Sequence, residues 1–215
     1  MFGKNQIMKP SAGDGNQLEV VKIFPTIQGE GPRAGQPAIF IRLGGCNLAC
    51  SFCDTEFDNF SSLSLTEILA QVQSCRGAQK LIVITGGEPM RQPIAALCKL
   101  LLVQGFIIQI ETNGTLWRPL PKAVEIVCSP KIRTQIRTDL LERITAFKFV
   151  VSKTLPDYMS IPEIGQSLMN SPVYVQAMDE YDAQKNAENL AYVQELAVEN
   201  GYILSVQIHK VLGIE

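Results

Sequence analysis

Residues 44–55 read GGCNLACSFCDT and follow the apolar run AIFIRL at 38–43. Cys46, Cys50 and Cys53 stand in the spacing C-x3-C-x2-C, three thiols within eight residues. A structural zinc site takes four ligands, yet the chain has one histidine, His209, and no second C-x2-C pair. A cubane [4Fe–4S] cluster takes one thiolate per iron, so three thiolates would leave one iron open. The alternative is a zinc or redox loop completed by one of the distant cysteines.

Outward from this loop the pattern of apolar run followed by polar loop recurs. KLIVIT (80–85) leads into GGEP, FIIQIE (106–111) into TNGT, and VEIVCS (124–129) into PK; further runs are FKFVV (147–151), VYVQA (173–177) and ILSVQI (203–208). Several lack strict alternation, as strands covered on both faces do in a mostly parallel sheet. Helical patterns separate them. Ser64 and Glu67 have the form of a capping box, opening a helix through about Ser74. Glu88 and Pro89 would start a second, with Ile94, Leu97 and Leu101 on its buried stripe. A third runs from about Ala183 to Val198 and stops before Asn200-Gly201. The expected class is α/β. In such a sheet or barrel the loops after the strands emerge on one rim, where ligand sites form, so the cysteines and polar loops are expected to converge. Segment 152–172 gives no assignable pattern.

With 215 residues, 46% of them hydrophobic, the chain can bury one sizeable core. Residues 1–17 are polar and glycine-bearing and read as a flexible N-terminal tail, with 18–215 a single domain. A net charge of −2 from 19 basic and 21 acidic residues gives no cationic field for nucleic acid. No segment reaches the roughly 18 apolar residues of a membrane span, and the N-terminus lacks a signal-peptide core. The expectation is a cytoplasmic protein, where thiols stay reduced and clustered cysteines mean metal or redox chemistry. Cys75, Cys98 and Cys128 stand singly in apolar segments, as small buried hydrophobes do.

An open iron suits the amino and carboxylate groups of S-adenosylmethionine. CNLACSFC resembles the C-x3-C-x-aromatic-C signature of the radical S-adenosylmethionine superfamily, and TGGEP (85–89) resembles its glycine-rich stretch, where a missing Cβ would let the backbone approach a ligand. FPTIQGEGPRAGQPAIFIRLGGCNLACSFCDT (24–55) and SVQIHKVLGIE (205–215) are similar to the start and end of the 7-carboxy-7-deazaguanine synthase family, and the similarity extends over about 18–215. It implies a partial (β/α)6-type barrel; the short segment 56–80 suggests a reduced helix complement. It implies a ring-contracting lyase that converts 6-carboxy-5,6,7,8-tetrahydropterin to 7-carboxy-7-deazaguanine with release of ammonia, in queuosine or deazapurine biosynthesis. Its cofactors would be a [4Fe–4S] cluster, S-adenosylmethionine used catalytically, and Mg²⁺. Its partners would be the pterin, a reductant protein such as flavodoxin or ferredoxin, and a second copy in a homodimer, with no nucleic acid and no membrane.

Carried over by position, Cys46, Cys50 and Cys53 would hold the cluster, with Phe52, Cys53, Asp54, Gly87, Ser129, Pro130, Lys131 and Gln176 binding S-adenosylmethionine. Ile27, Gln28, Gly29, Arg42, Thr85, Glu111, Gln207, His209 and Glu215 would contact the substrate, and Thr55 the magnesium. Arg42 suits this because its fork matches the substrate carboxylate, unless it forms a surface ion pair. A single oxygen at Thr55 can suffice because Mg²⁺ keeps several waters. Phe52 offers a face to adenine or simply excludes water, and Asp54 could equally cap its loop. Glu111 and Gln207 match the donors and acceptors of a pterin edge, whereas His209 could be an ordinary histidine near a strand end. Two departures stand out: Ala177 where many relatives have proline, and Glu215 at the C-terminus, which could act only through its carboxylate or backbone. The rival functions are a glycyl-radical-activating enzyme with the same cysteine spacing and a non-catalytic metal-binding scaffold.

Overall fold

The computed structural model describes residues 5–75, 77–131 and 134–214. Its strands are β1 (Gln17–Ile27), β2 (Pro37–Leu43), β3 (Ser61–Ser64), β4 (Leu81–Gly86), β5 (Ile107–Thr112), β6 (Glu125–Cys128), β7 (Ala146–Val151), β8 (Val173–Ala177) and β9 (Ile203–Ser205). They form one sheet in the order β3-β1-β2-β4-β5-β6-β7-β8-β9. β1 runs antiparallel to both β2 and β3, and every pairing from β2 to β9 is parallel. β3 and β9 end the order without pairing to each other, so the barrel is partial.

The apolar runs lack alternation because both faces are covered. On the outer face Ile39, Ile41 and Leu43 join Ile82, Ile84, Ile108, Ile110, Phe147, Phe149 and Val175 in the main core. Three helices supply the other side: α1 (Leu65–Ser74) with Ile68 and Val72, α2 (Ala95–Val103) with Leu97 and Leu101, and α4 (Ala183–Asn200) with Val193 and Ala197. On the inner face Ala38, Leu81 and Val83 pack with Phe40 as a small plug. Nearer the carboxyl ends of the strands, the same face carries Arg42, Thr85, Glu111, Lys148 and Gln176.

The helix signals hold, with adjustments. Ser64 and Glu67 close the capping box of α1, the Ser64 hydroxyl accepting from Glu67 N at 3.3 Å and the Glu67 carboxylate from Ser64 N at 2.8 Å. α4 is capped by Asp182 and ends on Gly201 at φ 69°. The helix expected from Glu88 is split: Pro89–Arg91 form one 3-10 turn, and α2 starts only at Ala95. Gln92 is extended, as the residue before Pro93 must be to clear its ring. The expected strand 203–208 stops at Ser205; residues 208–212 turn into α5 (Ile208–Leu212), with Ile208 N donating to Gly29 O at 3.0 Å. α3 (Thr138–Leu141) is a single turn between β6 and β7. No helix of the described residues links β5 to β6, and only a 3-10 turn at Pro156–Tyr158 lies between β7 and β8, which is the reduced helix complement.

The segment expected as a free tail makes specific contacts from residue 5 onward. Met8 N donates to Cys46 O at 2.7 Å, Ser11 N donates to Arg91 O at 2.8 Å, and Arg118 Nη2 donates to Ser11 O at 2.6 Å. These bonds run through its backbone, while most of its side chains stay exposed, which is why the sequence reads as a tail.

Candidate active site

The cysteine loop is built on glycines and anchored from below. Gly44 O accepts from Arg91 Nη2 at 3.0 Å and from Gln92 Nε2 at 3.2 Å. Arg91 is itself sealed from solvent and paired with Glu19. Gly45 has φ 74° and Gly86 φ 131°, conformations that favour glycine. The glycine-rich turn crosses this loop directly: Gly87 N donates to Leu43 O at 3.2 Å and Glu88 N to Gly45 O at 3.0 Å. A Cβ at Gly87 would overlap the Gly45 carbonyl, and one at Gly86 the Leu43 carbonyl. These glycines were expected to admit a ligand; their first effect is to let two backbone segments touch.

Glu88, expected only as a helix start, is fully buried and ties the loops together. Its carboxylate accepts from Met90 N at 2.8 Å, Asn113 N at 2.7 Å and Thr112 Oγ1 at 2.8 Å. Burial pushes it up to about 7 against the pull of those donors. Asn113 Nδ2 in turn donates to Asn47 Oδ1 at 3.0 Å, and Asn47 Nδ2 to Thr115 Oγ1 at 2.8 Å, so the loop after β5 holds the cysteine loop from the side.

These loops enclose a cavity of about 500 Å³ at the carboxyl ends of the strands. Cys46, Cys50, Cys53, Phe52, Asp54 and Thr55 form one wall, and Gly87, Ser129, Lys131 and Gln176 lie beyond them on the strand ends. Arg42, Thr85 and Glu111 line the inner face, and Ile27, Gln28, Gly29, Gln207 and His209 line the same cavity. Every position singled out by sequence therefore faces one space except Pro130, which is not among the lining residues, and Glu215, which lies outside the described residues. Gln207 and His209 reach it from the N-terminus of α5, not from a strand. Arg42 is half-buried and packs over the Phe24 ring at 5.4 Å. Phe52 meets Tyr158 edge-on at 5.2 Å, with Lys131 Nζ 5.9 Å from its ring.

Residues that the sequence did not single out complete the cavity. Lys148 is buried, salt-bridged to Glu30 and, at 2.9 Å, to Glu111. Burial opposes its charge, but the two carboxylates outweigh burial and hold Lys148 above its usual range. Gln28 Nε2 donates to Glu111 at 2.8 Å and Gln207 Nε2 to Glu30 at 2.9 Å. A lone lysine within the apolar run FKFVV was the available signal. Asp179, Tyr181 and Lys210 close the rim, where Lys210 bonds Asp179 at 2.6 Å and Asp54 at 3.3 Å. Asn5 reaches the same wall from the N-terminal segment.

The donor set suits a cluster. All three loop cysteines are free thiols lining one cavity, and burial raises each of them, Cys46 to about 12. Cys98 and Cys128 are buried elsewhere, outside the cavity lining. Among the described residues no three Cys, His, Asp or Glu side chains are grouped to hold a single metal ion, whereas a cubane takes each thiolate on a different iron. Lys131, whose charge burial disfavours, donates to Ser129 Oγ at 2.7 Å beside them.

Comparison with known proteins gives a consistent picture. The Radical SAM superfamily model matches residues 40–133. The 7-carboxy-7-deazaguanine synthase of Rickettsia prowazekii is 54% identical over 100% of this chain and 96% of its own. That of Rhodospirillum rubrum is 40% identical, with 100% of both chains covered. The crystal structure of QueE from Escherichia coli superposes with a TM-score of 0.78 at 28% identity, covering 90% of this chain and 95% of that one.

Proposed function

The chain belongs to the 7-carboxy-7-deazaguanine synthase family of radical S-adenosylmethionine enzymes, and on that premise we propose how its cavity contracts 6-carboxy-5,6,7,8-tetrahydropterin to 7-carboxy-7-deazaguanine with loss of ammonia. The observation that carries the assignment of roles is convergence: three thiols, a buried lysine–carboxylate group and the Arg42 fork face one cavity from different elements. Cys46, Cys50 and Cys53 would hold a [4Fe–4S] cluster, with Phe52, Asp54, Gly87, Ser129, Lys131 and Gln176 around S-adenosylmethionine. When bound, these groups supply a 5′-deoxyadenosyl radical that takes a hydrogen atom from the substrate and is afterwards returned to the cofactor.

The chain's own residues bind, orient and exclude water. Arg42 extends from β2 into the cavity, where its guanidinium takes the substrate carboxylate. Glu111, fixed between Lys148 and Gln28, presents an acceptor to the donor edge of the pterin, and Thr85, Gln207 and His209 complete the frame. The Ala38, Leu81 and Val83 plug seals the floor against water entering from the amino ends of the strands. Thr55 supplies one oxygen for Mg²⁺, beside Asp54 at 3.3 Å. The reading includes a cytoplasmic setting, a flavodoxin or ferredoxin as reductant and a homodimer as the working unit.

The test is anaerobic turnover with reductant, S-adenosylmethionine, Mg²⁺ and the carboxytetrahydropterin. The expected result is the deazaguanine carboxylate and ammonia, with S-adenosylmethionine recovered over many cycles. Stoichiometric deoxyadenosine without ring contraction would point to a radical activase, and a cluster whose spectrum ignores S-adenosylmethionine to a scaffold. Cys50→Ala abolishes product, and Thr55→Ala raises the Mg²⁺ concentration needed for half-maximal rate.

A further inference from the structure

We infer that Asn5 is a positioning residue for the cluster wall of the cavity, and that residues 5–11 form the outer side of that wall. The inference rests on the cluster assignment proposed above. The Asn5 side chain has two N–H donors: one goes to the Thr55 carbonyl at 3.0 Å, and the group also reaches Cys53 Sγ at 3.8 Å. One short amide therefore spans the last thiol of the cysteine motif and the backbone of the residue assigned to magnesium. Asn5 lines the cavity itself.

The rest of the segment is laid along the first cysteine. Ile7 pairs with Cys46 in a parallel bridge, and Met8 N donates to Cys46 O at 2.7 Å. Met8 Sδ lies so near Gly45 that a Cβ there would sit 2.7 Å from it. Beyond this, Lys9 O accepts from Arg91 Nη1 at 3.3 Å, and Arg118 joins Ser11 to Arg91 through their carbonyls at 2.6 and 2.9 Å. The same Arg91 holds Gly44 O. The N-terminal segment is thereby fixed to the base of the cysteine loop at one end and to its final thiol at the other.

Two physical consequences follow for a cluster held by these thiolates. An N–H directed at a thiolate sulfur stabilises the more negative, reduced state, and a covered wall limits access of water and oxygen; hydrogen bonds to the sulfurs and exposure both set cluster potentials. Asn5 acts through Cys53 and Thr55 and touches no reacting atom.

The experiment uses the full chain with its cluster reconstituted anaerobically. Asn5→Asp keeps the shape, removes the donors and adds negative charge; Asn5→Leu removes the donors alone. Both shift the midpoint potential of the cluster to more negative values in redox titration followed by electron paramagnetic resonance, with Asn5→Asp shifted further. Deletion of residues 2–11 makes the cluster bleach several-fold faster in air, at unchanged iron per protein before exposure. A merely structural role would lower cluster content and melting temperature without moving the potential of the clusters that remain, and that outcome overturns the inference. Wild-type potential in both point variants, or wild-type bleaching in the deletion, also overturns it while leaving the proposed function intact. Failure of the wild-type chain to hold any iron–sulfur cluster overturns both.

Discussion

Gly87 shows how a single missing Cβ decides the site. Its amide bonds the Leu43 carbonyl at 3.2 Å while its Cα faces the Gly45 carbonyl so closely that any side chain would overlap it. Neither partner is a flexible side-chain end, so relief requires the cysteine loop to move. Gly87→Ala should cost about 1–3 kcal/mol as overpacking does, and should reduce iron bound per chain after reconstitution while far-UV circular dichroism stays native. Full iron loading in that variant would show that the two backbones need not touch. Glu30 makes a second prediction at this scale. Burial would raise its carboxyl, but Lys148, Gln207 and His209 hold it down at about 2, below the 4.5 of an unfolded chain. A group lower in the folded state contributes stability that is complete above about pH 4.5 and is lost as pH falls toward about 2. Urea titrations of the cluster-free protein should show that acid limb in the wild type and a shallower one in Glu30→Gln.

Among the elements, α1 is the one whose start the sequence states outright, because a capping box is a local, chemically complete signal. Ser64→Ala removes the acceptor for Glu67 N and should cost about 1 kcal/mol, read as a lower urea midpoint, with turnover unchanged since α1 lies on the outer face. The parallel strands were legible for a similar reason: burial on both faces forces continuous apolar runs. What the sequence hid were features made by distant partners. β3 is SSLS, with no apolar pattern, and exists because β1 offers it a ladder from Gln17 to Val20. The final strand looked longer than it is, since ILSVQI reads as a strand until the bond from Ile208 to Gly29 turns the chain into α5. Cys46, Cys50 and Cys53 announced themselves by spacing, and Arg42 and Glu111 by a likeness to relatives. Glu88 and Asn5 had no such marker and Lys148 only its place in an apolar run, because the partners that give them their roles, Thr112, Cys53 and Glu111, lie 24 or more residues away and only the folded chain brings them into range.

At the scale of the whole molecule, an open sheet must keep two unpaired edges from spreading if its cavity is to hold one shape. The edges do not meet as strands. Instead the loop after β1 crosses to the C-terminal elements: Gly31 N bonds Ser205 Oγ at 3.0 Å, Ile208 N bonds Gly29 O at 3.0 Å, and Gln207 Nε2 bonds Glu30 at 2.9 Å. Lys148 on β7 is the charged centre of this closure, because it binds Glu30 from the crossing loop and Glu111 from β5 at once. Removing it leaves two buried carboxylates facing each other with no cation between them. Lys148→Met should therefore destabilise the fold by about 3–5 kcal/mol, the range for breaking a buried pair by deleting one partner. It should also loosen the pterin site, since Glu111 loses the bond that aims it and the crossing loop carries Gln28 and Gly29 along the same wall. The expected signature is a raised KM for the pterin that exceeds any rise in the KM for S-adenosylmethionine, because Lys148 bonds Glu111 directly and none of the three loop cysteines. Pairing Lys148→Met with Glu30→Gln should recover part of the lost stability, as one of the two stranded charges is gone, and a double-mutant cycle in urea measures that recovery. Strictly additive losses would mean that the closure rests on the backbone bonds to β9 and α5 alone.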